Sequence, residues 1–143
     1  MKYLQVDSEG SILSIAEPAE GFSFAAPENS VAIDAATNVD LQNQYWDEDT
    51  ASLVQRNPRP SNFYYWANKQ WNLDSAQILT AIRAIRTRKL TDSDWTQMND
   101  SPLSDTEKAA WATYRQALRD ITTTLTGSEQ TLEDVQWPTA PTS

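Results

Sequence analysis

Up to Leu73 the apolar residues come in short runs broken by polar turns, and beyond Asp74 they recur at helical spacing. Tyr3–Val6 and Ile12–Ile15 flank Asp7-Ser8-Glu9-Gly10, whose glycine can supply a positive φ, and they read as a hairpin. Phe22–Ala25 and Val31–Ile33 flank Pro27-Glu28-Asn29, which predicts a second strand pair. Tyr45-Trp46 and Ser52–Val54 flank the acidic loop Asp47–Thr50. Asn57-Pro58-Arg59-Pro60 then interrupts the chain, because proline removes a backbone donor and fixes φ. Phe63–Trp66 and Gln70–Leu73, around Ala67-Asn68-Lys69, predict a further aromatic hairpin. Tyr45-Trp46 and Tyr65-Trp66 start similar hairpins, but the likeness is too brief to define a repeat.

The second part changes period. Asp74 with Gln77 three residues on has the form of a capping box, and Ile78, Leu79, Ile82 and Ile85 follow along one helical face. This predicts a helix over residues 75–89, ended by Thr91-Asp92-Ser93-Asp94, with Trp95 and Met98 in the linker up to Pro102. Ser104-Asp105-Thr106-Glu107 is a clear Ser-x-x-Glu helix start. After it Trp111, Tyr114, Leu118 and Ile121 form one apolar stripe, with Lys108, Arg115 and Arg119 off it. Two helices joined by a short linker pack most simply as an antiparallel pair. The fold class expected is therefore α+β, with small antiparallel β hairpins or a meander followed by an antiparallel helix pair. The expected division is a β-rich, acidic and aromatic region at 1–74 and a helical region at 75–143, closing on Trp137-Pro138 and a Thr/Pro/Ser tail.

Composition narrows the chemistry. The chain has 143 residues, of which 39% are hydrophobic, so one ordinary domain or a small head with a helical tail accounts for the length, and the core should be thin. Six Trp, five Tyr and three Phe offset this, since aromatics bury the most area per residue. With no Cys and no His, the chain cannot build a disulfide, a thiolate nucleophile, a zinc site of the usual ligands or a Ser-His-Asp triad. Three glycines, none close together, do not make a phosphate-cradling loop. Net charge is −9, and Met1–Gln55 carries all of it, with ten acids against Lys2 alone. Such a chain has no basic footprint for nucleic acid. The acidic half either meets a basic partner or simply keeps a solvated surface. No stretch is long and apolar enough to span a membrane, and the N-terminus has no signal-peptide core.

The candidate sites each have a plainer alternative. Asp47 and Asp49 match the first two positions of a calcium loop, but Ser52 stands at the turn glycine and Pro58 at the closing Glu. Asp92, Asp94 and Thr96 fail in the same way, with Gln97 and Leu103 at those positions, so no metal or other cofactor is expected. A carboxylate pair alone can serve a glycosidase, yet with twenty acids some pair always exists. No nucleophile–base pair supports an enzyme. Trp46, Tyr64, Tyr65, Trp66 and Trp71 crowd one stretch; they are either partner-binding anchors or the core of a sheet poor in aliphatics. Arg115 and Arg119, one turn apart, either clamp a partner's carboxylates or pair with local acids such as Asp94 or Asp120.

The segment DWTQMNDSPLSDTEKAAWATYRQALRDI, residues 94–121, resembles the C-terminal domain of phage tail-assembly chaperone and tail-fibre-assembly proteins. The resemblance rests on Asp94-Trp95-Thr96-Gln97, Pro102-Leu103, the series Trp111, Tyr114, Arg115, Leu118, Arg119 and Asp120, and the closing Trp137-Pro138. It spans about residues 75–138, including the arginine-bearing helix Ile82–Leu90. Thr122–Thr126 departs from it, standing where the family carries a short proline-containing link. Asp94, Trp95, Trp111, Tyr114, Leu118, Trp137 and Pro138 are expected to specify the fold, with Trp111, Tyr114 and Leu118 buried and Trp95 and Trp137 closing the helix pair from outside.

The resemblance implies a non-catalytic chaperone that binds a phage tail-fibre or other tail subunit in the host cytoplasm during assembly. It leaves oligomeric state open. The alternatives are a resident structural component of the virion tail or fibre tip and, more remotely, a sugar-binding module for host recognition.

Overall fold

A computed structural model describes residues 1–142, so Ser143 at the end of the expected tail lies outside the described residues. Strands β1 (Lys2–Val6), β2 (Ile12–Ala16) and β3 (Ser30–Ile33) form an antiparallel sheet in the order β2-β1-β3. Asp7 organises the β1–β2 loop by accepting from the Glu9 and Ser11 amides. Gly10, at φ 77°, lies so close to the next hairpin that a β-carbon there would collide with the Trp46 carbonyl. β4 (Gln44–Asp47) pairs with β5 (Ser52–Gln55), and β6 (Tyr64–Ala67) with β7 (Gln70–Leu73). The β6–β7 loop is the two residues Asn68 and Lys69, both at positive φ, as a type I′ turn requires.

The strand pair expected at Phe22–Ala25 and Val31–Ile33 is corrected. Residues 22–25 form no strand, and β3 pairs with β1, Val31 opposite Leu4. β1 has one free edge after β2 joins it, and the β-branched Val31 and Ile33 suit it better than a segment set between Gly21 at φ 81° and Pro27. Phe24 instead lies against Tyr3, ring centroids 5.2 Å apart, and Phe22 stays exposed.

Helix α1 runs Ser75–Asp92 and α2 runs Asp105–Asp120. Asp74 accepts from the Gln77 amide, but no reciprocal bond from the Gln77 side chain forms, so only half of the expected capping box is present. At α2 both halves form, Ser104 to the Glu107 amide and Glu107 back to the Ser104 amide. Between the helices Asp94–Gln97 closes a 3-10 turn that periodicity did not predict. Ile78 and Ile82 near the start of α1 share an apolar recess with Thr122 and Leu125 beyond the end of α2, while Leu90 near the end of α1 meets Arg115. The two helices therefore run in opposite directions. The architecture is α+β, small antiparallel strand pairs followed by two helices.

The chain divides into two compact units, Met1–Asn72 and a second beginning at Leu73. Leu4, Ile12, Tyr45 and Tyr64 form the buried apolar set of the first; Ile78, Ile82, Tyr114, Leu118, Ile121 and Val135 form that of the second.

Candidate partner-binding surfaces

In the first unit the aromatics of β4, β6 and β7 meet. Trp66 lies 5.0 Å from Tyr45 and 5.3 Å from Trp71 between ring centroids. Both indole N–H groups are used internally, Trp66 donating to the Glu9 carbonyl at 3.2 Å and Trp71 to the Asn57 carbonyl at 2.8 Å. Arg56 places its guanidinium 4.9 Å from the Trp66 ring and 5.1 Å from Trp71, and Arg59 lies 5.9 Å from Trp71. These arginines also tie down loops. Arg56 donates to the carbonyls of Gln42 and Leu41, and Arg59 to those of Tyr64 and Asn62. Burial pushes the Arg56 guanidinium below its ordinary pKa, with Asp7 and Asp40 pulling the other way.

This fixes where the expected anchors lie. Tyr64 is buried and belongs to the core; Trp46, Trp66 and Trp71 are half-buried; Tyr65, one residue along the strand, is 53% exposed on the opposite side. Trp66 and Trp71, with Pro58, Pro60 and Gln70, line an open groove of ≈ 440 Å³. Sequence reasoning missed Arg56, Arg59 and Lys69. Their nearness in sequence to Trp66 and Trp71 was a signal, but only the hairpin geometry shows the stacking.

The acidic loop beside this groove is occupied by a protein cation. Lys69 Nζ lies 2.6 Å from Asp47 and 2.7 Å from Asp49. The Asp47 carboxyl is held below its ordinary pKa, first by the bond from Lys69, and the Lys69 ammonium is raised by the same contacts. Among the described residues no group of three or more carboxylates is arranged to hold a metal ion.

In the helical unit Arg115 takes the local alternative and pairs with Asp94. It is buried, and it donates to the Leu90 carbonyl at 2.6 Å, Ser93 Oγ at 2.7 Å and Asp94 Oδ1 at 2.6 Å. Its fork ties α2 to the end of α1 and to the 3-10 turn. Arg119 is exposed and, among the described residues, reaches only Gln116 on its own helix. Tyr114 and Leu118 are buried, but Trp111 is only half-buried, edge-on to Tyr114 at 5.6 Å. Trp95 packs against Trp111 at 6.3 Å and stays 43% exposed; Trp137 is half-buried beneath Lys89, 5.6 Å away, with Pro138 half-buried beside it. The expected partner-binding residues thus divide between the two units, Trp46, Tyr64, Tyr65, Trp66 and Trp71 in the first and Arg115 and Arg119 in the second.

Residues 79–142 match the model of a family described as phage tail assembly chaperone protein, over the region that carries the resemblance. No curated protein and no solved structure matches the chain.

Proposed function

We propose that this chain works as its C-terminal match implies, as an assembly chaperone that binds a phage tail subunit without catalysing a reaction. The observation that carries this is the family match over residues 79–142, which takes in α2, the Arg115 junction and most of α1. The groove chemistry agrees with it. Lys69 is paired with Asp47 and Asp49, and Arg56 and Arg59 donate to carbonyls, although Arg56 Nη1 is buried without a hydrogen-bond partner among the described residues; most of what the groove offers a visitor is aromatic surface. Aromatic anchors in a rigid frame suit protein recognition.

In this reading the first unit is the partner-binding region, with Trp66 and Trp71 in the groove, Tyr65 on the opposite face of β6 and the exposed part of Trp46 as its contacts, and the helical unit is the part that carries the family match. The partner proposed is a tail-fibre subunit, held in the host cytoplasm until it docks. Co-expression of tagged tail and fibre subunits with the wild-type chain, with Trp71→Ala for the groove and with Tyr65→Ala for the opposite face of β6, tests this. Tyr65 is the right probe there because it is exposed, whereas Tyr64→Ala would open the core. The wild type should co-purify with a fibre subunit, and each variant should weaken the complex about tenfold, as for one aromatic anchor. Mass spectrometry of purified particles then separates the chaperone from a resident component, which would appear at a fixed ratio to the fibre. Tails that assemble and infect normally without the protein would end both readings.

A further inference from the structure

The linker between the helices carries a charge pattern that the first unit does not explain. Residues 90–107 hold five acids, Asp92, Asp94, Asp100, Asp105 and Glu107, and no base, immediately after a stretch, 83–89, with four bases and no acid. Two of the acids are already engaged, Asp94 by Arg115 and Glu107 by the Ser104 cap. Asp100 and Asp105 make no ion pair among the described residues, and Asp92 has only a 3.9 Å contact with the well-exposed Arg88.

Within the same stretch lie Trp95 and Met98, 43% and 56% exposed, the two exposed large hydrophobics of the helical unit among the described residues. Trp95 lies in the 3-10 turn and Met98 is the extended residue that ends it, its amide donating to the Trp95 carbonyl at 3.3 Å, so the two exposed residues are held close along the backbone. Trp111 backs Trp95, and Tyr114 backs Trp111 edge-on, so the surface has a packed floor. An indole beside a thioether suits an apolar side chain from elsewhere, because methionine adapts its shape to what it meets.

We propose that this shelf docks a basic amphipathic segment of the partner, an aromatic or aliphatic side chain seated on Trp95 and Met98 and lysines or arginines set against Asp92, Asp100 and Asp105. Charge complementarity selects that occupant: an acidic segment would be repelled, and an uncharged one would leave the three carboxylates unanswered. The identification of the partner as a tail subunit rests on the function proposed above; the shelf and the chemistry of its occupant do not.

The experiment uses the full chain and two synthetic probes, an amphipathic peptide of leucine, tryptophan and lysine and its counterpart with every lysine replaced by glutamate. Binding is read by fluorescence anisotropy of labelled peptide. The lysine peptide should bind, the glutamate peptide should not, and the affinity should fall about tenfold in Trp95→Ala and in Met98→Ser, the effect of losing one anchor. Met98→Ser, a change at an exposed side chain, keeps the test decisive should Trp95→Ala unfold. The triple variant Asp92→Asn, Asp100→Asn, Asp105→Asn should lose about tenfold at low salt and much less at high salt, as screening requires. Lysine-peptide binding unchanged in every shelf variant would overturn the proposal, because the acidic first unit would then account for it. Equal binding of both peptides would overturn the charge argument. Self-association of the wild type that Met98→Ser abolishes would make the occupant a second copy, offering its own basic 83–89 stretch, and would also overturn it. If the tail subunit fails to bind the wild type while the lysine peptide binds as described, the chaperone reading falls and the shelf stands; if the subunit binds and the shelf variants leave both ligands unaffected, the reverse holds.

Discussion

Arg115 shows how far a single side chain can differ from its position on a helical wheel. It lies beside the apolar stripe of α2, yet it is buried because three acceptors wait for it, the Leu90 carbonyl, Ser93 Oγ and Asp94. Removing it leaves the Leu90 carbonyl and the buried Ser93 hydroxyl without their charged donor at a junction that is open to solvent on the Asp94 side. Arg115→Ala should therefore destabilise the helical unit by about 2–3 kcal/mol, the usual range for losing charge-assisted bonds from a buried site. Arg115→Lys should recover less than half of that, since one ammonium cannot reproduce a fork. Urea melts followed by far-ultraviolet circular dichroism measure both. A loss below about 0.5 kcal/mol, the range of ordinary surface substitutions, would mean that the junction is not what holds the helices.

At the scale of elements, the helix starts differ in strength. α2 begins with a complete reciprocal box, while α1 begins with Asp74 alone. Ser104→Ala should cost about 1 kcal/mol, as loss of such a cap does. The cap also gives the stability a sign with pH. Bonds from Ser104 hold the Glu107 carboxyl below its ordinary value of 4.5. A depressed folded-state pKa contributes stability that is fully present above the unfolded value and is lost as pH falls through the folded one. Glu129 and Asp134 behave alike, held down chiefly by backbone amides of Thr126 and of Gln130 and Thr131. The melting temperature should accordingly fall as the solution is taken below about pH 4.5, and Glu107→Gln should make that fall shallower. Thermal melts across pH 7 to 3 check it; a flat profile for the wild type would contradict the assignment.

For the whole molecule, the long connection between β2 and β3 is the exposed stretch most open to a protease. It contains Phe22, 79% exposed, with no strand around it. Brief chymotrypsin digestion should cut there first, because nicking concentrates at exposed, unpaired backbone. The fragment from residue 23 onward should keep α1 and α2, since their unit begins at Leu73. Mass spectrometry of the early products identifies the site. A first cut within 75–120 would show that the helical unit opens more readily than the structure implies.

Much of the local structure is legible without coordinates because it is set by neighbours in sequence. The three hairpin turns, the Ser104–Glu107 box and the stripe Tyr114, Leu118 and Ile121 depend on φ preference, capping and helical period, all short-range. The likeness to phage tail assembly chaperone proteins over residues 79–142 is legible for the same reason, because the residues that carry it are spaced along one linker and one helix. Contacts between distant residues are not. The choice of β1 by Ser30–Ile33 over Phe22–Ala25 was decided by which edge was free. The placing of Arg56 against both Trp66 and Trp71 needed two hairpins to meet. The burial of Arg115 needed the end of α1 to present its carbonyl to α2. Charge and period describe a residue's own preferences, but a cation is buried or exposed according to whether acceptors arrive from elsewhere in the chain, and only the tertiary structure brings them.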